Sequence, residues 1–191
     1  MTEDTPIRPA SRKGKVRADA LLALSEARNK RGLQYTIGRC ADFYGPTAKT
    51  SMINRFLIDP VAAGKRPTWL IDAGVPHSLT YTPDIGEALA TLGTTAAAHG
   101  HTWHLPTAPA LTGAEYVELA AGAGVRTKIM SEAMLRIGGL FDASARATIE
   151  MAYQFAASYI FDSGRFESAF NTGPTSSRDG ITAALTAARQ S

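Results

Sequence analysis

The sequence predicts an α/β fold in which short strands alternate with helices up to about residue 106 and helices dominate from there onward. Three observations predict it: short β-prone runs, amphipathic segments between them, and abundant alanine, which favours helices. A chain of 191 residues, 45% hydrophobic and 19% charged, can bury a substantial core. We therefore expect two portions, residues 1–106 and residues 107–191, that pack as one unit.

The first helix is predicted over residues 13–30, after a charged loop that contains prolines. Gly32 stands just past its end, where a left-handed cap is expected. The run at residues 35–38 is short and β-prone, and it is predicted to be a strand. The apolar positions of the helix fall on one face, opposite its charges: Val16, Ala20, Leu21, Leu24 and Ala27.

The middle of the chain repeats this alternation. A second helix is predicted over residues 51–63, and a strand over residues 68–71. Pro83 and Asp84 suit the first turn of a third helix that runs to about residue 98, because proline fits a helix start and the helix dipole favours a carboxylate there. A third strand is predicted at residues 102–105.

The second portion is predicted to be mostly helical. Thr112 and Glu115 have the spacing of a capping box, which predicts a helix that continues to about residue 121. Residues 144–161 carry two apolar stripes, the strongest helical pattern of the chain, so we expect a buried helix there. A last helix is predicted over residues 177–188.

Charge and composition limit the possible partners. The net charge is +3, and eight basic residues fall within the first 31 positions. A solvated, cationic first helix accounts for them, and no aromatic residue among the first 34 supports stacking on bases, so we expect no nucleic-acid partner. No membrane-length apolar run or signal-peptide core occurs, and the single cysteine, Cys40, excludes an intrachain disulfide. We expect a cytoplasmic protein without a membrane partner.

Residues 39–46 read RCADFYGP and resemble the Arg-x-x-Asn-x-Tyr-Gly-Pro segment of the extended short-chain dehydrogenase family, the NAD(P)-dependent epimerases and dehydratases. Residues 77–84, HSLTYTPD, resemble the family's Arg-Asp-x-x-x-Val-x-Asp stretch, and residues 102–106 resemble its next strand. The resemblance extends over nearly all of residues 1–190.

In that family these motifs lie in the second half of a Rossmann domain, and no Gly-rich dinucleotide loop precedes them here. The resemblance therefore implies a partial Rossmann-like parallel sheet, made of the family's last strands at residues 35–38 and 102–105, followed by a mostly helical substrate domain. It also implies that the N-terminal dinucleotide-binding half is missing from this sequence.

The resemblance places two candidate catalytic residues at the start of the first helix. Lys13 falls where the family has the tyrosine of its Tyr-x-x-x-Lys pair, and Arg17 falls where it has the lysine. The family's tyrosine exchanges a proton with the substrate hydroxyl while hydride moves, and the lysine lowers the tyrosine's pKa. Lys13 can act as a base only if it is desolvated, and Arg17 does not give up its proton.

Three further positions are predicted by the resemblance to bind substrate. Asp42 replaces an asparagine that faces the substrate, and it brings a charge where the family has an amide. Tyr44 ends a strand at a turn where binding loops gather, although packing under that turn is an equal alternative. His77 replaces an arginine that grips phosphate in nucleotide-sugar enzymes, which weakens the case for such a substrate.

A metal site is an alternative use of the histidines. His99, His101 and His104 lie within six residues, and His77 is a possible fourth ligand. However, His101 and His104 would point to opposite faces of a strand, so a connecting loop with satisfied histidines is the favoured interpretation and no metal is predicted. Cys40 is interpreted as a small buried side chain rather than a nucleophile.

The resemblance implies an oxidoreductase that uses NAD or NADP and a small hydroxylated substrate such as a sugar. The absent Gly-rich loop and the Lys13/Arg17 pair weigh against hydride transfer, and against cofactor binding, by this chain alone. Three hypotheses stay open: a portion without activity of its own, an enzyme completed by a separate cofactor-binding chain, and a repurposed ligand-binding or interaction module. An exposed sheet edge would then need a covering partner, either a second copy or the N-terminal half.

Overall fold

The computed structural model describes residues 1–138, 140 and 148–190, and it confirms the α/β class. The helices are α1 (Arg12–Arg31), α2 (Asp59–Ala62), α3 (Thr82–Thr94), α4 (Gly113–Ala121), α5 (Glu132–Gly138), α6 (Gly164–Phe170) and α7 (Ser177–Arg189). The strands are β1 (Ile37–Arg39), β2 (Asp42–Tyr44), β3 (Thr68–Leu70), β4 (Pro76–His77), β5 (Leu79–Tyr81), β6 (Thr102–His104), β7 (Leu111–Thr112) and β8 (Lys128–Met130).

The strands pair two by two within these residues. β1 pairs with β6, β2 with β5 and β3 with β8, all in parallel, while β4 and β7 are antiparallel. In the first pair Ile37 lies opposite Thr102, and Arg39 lies opposite His104. Parallel neighbours need a long crossover, which here passes through α3. The β1–β6 pair confirms the partial Rossmann-like sheet that the sequence predicted.

One edge of β1 has no strand beside it in the described part of the chain. On the β6 side, the Ile37 N–H donates to the His101 carbonyl, and the Arg39 carbonyl accepts from the Leu105 N–H. The peptide groups of Gly38 face the other way, because successive residues of a parallel strand direct their hydrogen-bonding groups to opposite sides. β1 therefore presents the kind of free edge that another strand can cover.

Local signals define α1, but packing does not bury it. The Ser11 hydroxyl caps its start by accepting from the Gly14 N–H at 3.0 Å, and Gly32, at φ 66°, caps its end with an N–H bond to the Arg28 carbonyl. None of the residues of α1 is buried. Of the predicted apolar stripe, Val16 is 61% exposed and Ala20 is exposed, whereas Leu21, Leu24 and Ala27 are half-buried, so the stripe is only partly covered within the described residues.

The predicted middle helices occur with altered boundaries. The helix predicted over residues 51–63 contains a π-helical turn, Asn54–Ile58, that continues into α2. α3 begins at Thr82 and ends at Thr94, earlier than predicted, and a 3₁₀ turn at Ala96–Ala98 follows it. The capping box of α4 is present as predicted, since Thr112 and Glu115 bond each other's backbone N–H groups.

The core consists of two apolar clusters. The larger one is centred on Trp69, which stacks on Tyr116 with ring centroids 5.8 Å apart. It draws residues from both sides of position 106, because Tyr44 and Leu57 pack with Tyr116 and Ile181. The smaller cluster lies around β6 and α6 and contains Leu92, Trp103, Leu105 and Phe166. Each such buried side chain contributes about 1.5–3 kcal/mol relative to exposure.

The helix predicted over residues 144–161 was wrong for residues 150–161, which form no continuous helix. Residues 144–147 lie outside the described residues, and residues 148–149 are helical. From 150 to 161 the helical structure is limited to a short 3₁₀ turn, Ala152–Phe155. Tyr159 instead forms an isolated parallel bridge with His77. The Tyr159 N–H donates to the Pro76 carbonyl, and the Tyr159 carbonyl accepts from the Ser78 N–H, so partners across the fold replace helical ones.

Helix length and polarity also bear on the membrane prediction. Within the described residues, no helix is both long and apolar enough to cross a bilayer.

Candidate functional site

The site is built around a contact between Asp42 and His77. Asp42 is the first residue of β2 and follows closely on the carboxyl end of β1, where ligands of parallel α/β sheets bind. The His77 Nε2 lies 2.9 Å from the Asp42 Oδ2. The His77 side chain is 1% exposed, whereas that of Asp42 is 39% exposed. The pair therefore presents a carboxylate to solvent and holds it from behind with a buried imidazole.

Aromatic rings enclose His77. Its ring stacks on Phe155 with centroids 4.3 Å apart and an interplanar angle of 7°, and Tyr159 and Trp69 approach at 5.0 and 6.3 Å. The other ring nitrogen, Nδ1, is buried and has no hydrogen-bond partner within the described residues. Because a carboxylate only accepts, Nε2 carries the proton that is donated to Asp42, and Nδ1 faces apolar surroundings.

A chain of buried hydroxyl groups fixes the backbone just before Asp42. The Ala41 N–H donates to the Thr80 Oγ1 at 2.9 Å, and the Thr80 Oγ1 lies 2.8 Å from the Thr107 Oγ1. The Thr107 hydroxyl donates to the Leu105 carbonyl, so the Thr80 hydroxyl is the donor to Thr107. The main chain of Thr107 is held in turn by Ser163. This network joins the end of β1 to β5 and to the loop after β6.

Tyr44 is buried beneath the turn that follows β2. It is 1% exposed, and its ring centroid lies 5.6 Å from that of Tyr81. Its hydroxyl abuts Gly180 of α7, where an added Cβ would lie only 2.4 Å away. Burial raises the pKa of Tyr44 well above its usual range. This placement agrees with the packing alternative, and a substrate contact by Tyr44 stays a prediction.

The turn itself is held by Asn54, the first residue of the π-helical turn, and by Ser51 just before it. The Gly45 N–H donates to the Asn54 Oδ1 at 3.1 Å, and the Asn54 Nδ2 donates to the Gly45 carbonyl at 2.8 Å. The Ser51 hydroxyl donates to the Phe43 carbonyl at 2.6 Å. Gly45 has φ 154°, and an added Cβ would lie 2.1 Å from the Thr82 Oγ1. Only glycine fits at this point, because the turn is pressed against the start of α3.

The charge of Asp42 acts on its neighbours. Cys40 is an exposed residue, which corrects the interpretation of a small buried side chain. The pKa of its thiol is nevertheless raised, first by partial desolvation and then by the Asp42 carboxylate. Burial raises the pKa of Tyr159, and Asp42 is the largest charged contributor to that shift. Both groups are therefore kept protonated at neutral pH, and the thiol is a poor nucleophile.

Lys13 and Arg17 lie in the first turns of α1 and are exposed. The backbone N–H of Lys13 donates to the Glu150 Oε1 at 2.7 Å, which ties the start of the helix to the second portion of the chain. Arg17 forms no ion pair in the part of the chain that the structure describes. Their side chains lie on the solvated surface rather than in a desolvated pocket, and a catalytic role for either stays a prediction.

The four histidines occupy different environments. His104 is buried, and its ring stacks on Phe161 with centroids 3.9 Å apart. Its Nδ1 lies 2.8 Å from the carbonyl oxygen of Asp162. Burial lowers the pKa of His104. His99 and His101 are exposed, and His77 bonds Asp42. Across the described ranges, no three His, Cys, Asp or Glu side chains are grouped so that they could hold a metal ion.

Sequence reasoning missed the residues that enclose the site. Phe155 and Tyr159 were assigned to a helical stripe, yet they form the wall around His77. Their four-residue spacing carries a genuine helical signal, so nothing local indicates that Tyr159 leaves the helix and bridges to His77. The contact between Asp42 and His77 was also missed, although both residues were predicted to bind substrate. Lys13 and Arg17 have no role in that contact, which uses only the two side chains of Asp42 and His77.

Parallel strand pairs, crossover helices and a polar pair beyond the carboxyl end of β1 define a partial Rossmann-like α/β protein. A scan against protein-family models found no match, and a search of curated protein sequences found none either. Solved structures do share the fold. They include the UDP-glucose 4-epimerase of Thermotoga maritima, with a TM-score of 0.75 and 15% identity over 100% of this chain and 57% of that chain.

Two other solved structures give the same result. The UDP-glucuronic acid 4-epimerase of Bacillus cereus, in complex with UDP-glucuronic acid and NAD, has a TM-score of 0.75 and 16% identity and is matched over 100% of this chain and 56% of that chain. A dTDP-glucose 4,6-dehydratase of Streptomyces venezuelae has a TM-score of 0.73 and 19% identity, over 100% and 54%. This chain is thus similar in fold to little more than half of each enzyme.

Proposed function

We propose that this chain is the substrate-side portion of an NAD(P)-dependent oxidoreductase of the epimerase or dehydratase type. The observation that carries the proposal is the free edge of β1, in a fold matched to about half of such enzymes, together with a helix α1 that buries none of its residues. A dinucleotide-binding portion with parallel strands fits this edge, because it would extend the β1–β6 pair into a larger sheet. Hydride transfer then depends on that portion.

Asp42 is the residue that we assign to the substrate. Its exposed carboxylate accepts hydrogen bonds, and His77 holds it in one orientation. A neutral, hydroxylated substrate satisfies such an acceptor. The Asp42–His77 pair offers no exposed cation for a phosphate, because the imidazole is buried and already bonded to the carboxylate. We therefore favour a substrate that is not a nucleotide sugar. A role for Lys13 or Arg17 in proton transfer, and a cytoplasmic location, stay predictions.

A fluorescence titration with NADH and NADPH tests the proposal. We expect no saturable change in nicotinamide emission when residues 1–191 are mixed with either cofactor at concentrations up to about 1 mM. A cofactor site with a dissociation constant in the micromolar range would be filled at that concentration. The sequence contains no Gly-rich loop to hold a pyrophosphate. Saturable binding that depends on Asp42 would overturn the assignment and restore an independent enzyme. A repurposed binding module is favoured instead if the chain binds a sugar and stays monomeric in solution.

A further inference from the structure

A surface cavity that is separate from the Asp42–His77 site has the charge and size of an anion-binding site. It encloses about 540 Å³, within the range of small-molecule sites. It lies where the chain enters β3 and β8, and Lys65, Arg66 and Arg126 come from the residues just before those strands. Arg189, in the last turn of α7, completes the cationic lining. We call this cavity the basic cleft.

The cations of the basic cleft are not neutralised by acidic side chains. No Asp or Glu is among its lining residues. In the described ranges, Lys65, Arg126 and Arg189 take part in no ion pair. Arg66 is different, because its Nε donates to the Arg126 carbonyl at 2.7 Å and its Nη2 to the Thr127 carbonyl at 3.1 Å. Arg66 therefore fixes the loop, and the other three cations remain available.

The negative ends of helix dipoles offset only part of this positive charge. The ends of α2, α4 and α7 all reach the cleft, and each helix C-terminus carries roughly −0.5 charge, about −1.5 in total. Four cationic side chains exceed that by more than two charges. The adjoining cavity of about 380 Å³, which also contacts Arg189, is lined by both Lys49 and Asp59, so its net charge is closer to zero. The excess positive charge is thus specific to the basic cleft.

We propose that the basic cleft binds a small phosphate-bearing metabolite. Phosphate oxygens accept charge-assisted hydrogen bonds from lysine and arginine, and the cleft volume exceeds what one inorganic phosphate fills. The inference is independent of the proposed function, since none of the lining residues belongs to the Asp42–His77 site. A ligand bound here would contact both portions of the chain, because residues 61–67 and 120–126 both line the cleft.

The test is an NMR titration of the ¹⁵N-labelled chain with inorganic pyrophosphate and, separately, with ADP. Saturable shifts are expected at the amides of Gly64, Val125 and Arg126, and they should weaken as salt is raised. The double variant Lys65→Gln/Arg126→Gln should lose about tenfold or more in affinity, since it removes two charge-assisted contacts. Both side chains are exposed, so the fold should persist, as the unchanged remainder of the spectrum would verify.

The matched control is Arg178→Gln, which removes one positive charge from the opposite end of α7. It should change affinity less than about twofold, an effect of diffuse charge alone. The proposal is overturned if Arg178→Gln loses as much affinity as Lys65→Gln or Arg126→Gln alone. It is also overturned if no saturable shift appears up to about 10 mM pyrophosphate, where even a weak site would respond. Tighter binding of ADP than of pyrophosphate supports a nucleotide, and equal binding supports recognition of the phosphates alone. Repeating the NADH titration with the double variant separates this cleft from a nicotinamide site.

Discussion

At the scale of single residues, the Asp42–His77 contact explains why a histidine is buried among aromatic rings. The ring contributes apolar contact through Phe155 and Trp69, and its one satisfied polar atom is the Nε2 that faces Asp42. A buried imidazole without that acceptor would leave a second nitrogen unsatisfied beside Nδ1. The carboxylate thus stabilises the fold and stays exposed enough to meet a ligand.

Replacement of Asp42 separates these two roles. Asp42→Ala removes the acceptor of the buried Nε2, and we expect a loss of about 1–2 kcal/mol in the free energy of unfolding, near the lower end for an orphaned buried donor because water can partly replace the carboxylate. Asp42→Asn keeps an oxygen in place and should cost less than about 1 kcal/mol. Urea denaturation of both variants measures the difference. Equal costs for the two would show that the hydrogen bond contributes nothing to stability.

At the scale of elements, the start of α4 packs closely against β3 in the larger core. Gly113, the first residue of α4, lies against the Trp69 indole so closely that an added Cβ would stand 2.3 Å from its Cε2 atom. Trp69 is itself buried at 2% exposure and is stacked on Tyr116, so it has no space to retreat. The absence of a side chain at Gly113 therefore sets the distance between helix and strand.

Alanine substitutions test this at two glycines in helices. Gly113→Ala should destabilise the chain by about 1–3 kcal/mol, because the methyl group forces Trp69 or α4 to move. Gly93→Ala, in α3, places its methyl group in open space and should instead stabilise by up to about 1 kcal/mol through helix propensity. Thermal unfolding of both variants provides the comparison. A destabilisation of similar size at both positions would contradict the packing argument.

The elements also show how far sequence carries the structure. Local chemistry predicted α1 and α4, because Gly32 and the Thr112–Glu115 box act within one turn. The β1–β6 pair followed from the resemblance. The conformation around Tyr159 was beyond prediction, since its backbone partners, Pro76 and Ser78, are about 80 residues away in sequence. The contact between Asp42 and His77 was not predicted for the same reason, because the two residues lie 35 positions apart and each was considered on its own.

At the scale of the whole molecule, α1 and the strand that follows it in sequence, β1, both expose groups that are usually covered. The free edge of β1 exposes peptide groups, and α1, which leads into β1, exposes Val16 at 61% and Leu22 at 65%. Helices that pack on parallel sheets normally bury apolar side chains of this size. The distribution of apolar surface thus agrees with a protein that is completed by a partner, whether a dinucleotide-binding portion or a second copy.

Solution mass tests whether this surface associates. We expect sedimentation to give a mass above that of the 20.2 kDa chain at high protein concentration, because exposed apolar side chains on α1 and a free strand edge both favour self-association. Val16→Glu/Leu22→Glu should return the mass to that of the single chain while changing the free energy of unfolding by less than about 1 kcal/mol, since both side chains are already exposed. The control Met134→Glu/Ile137→Glu adds the same charge at two exposed apolar positions on α5, and it should retain most of the association. A wild-type chain that stays monomeric at all concentrations would show that α1 is stable with its apolar side in water, and it would remove the main physical reason for expecting a partner there.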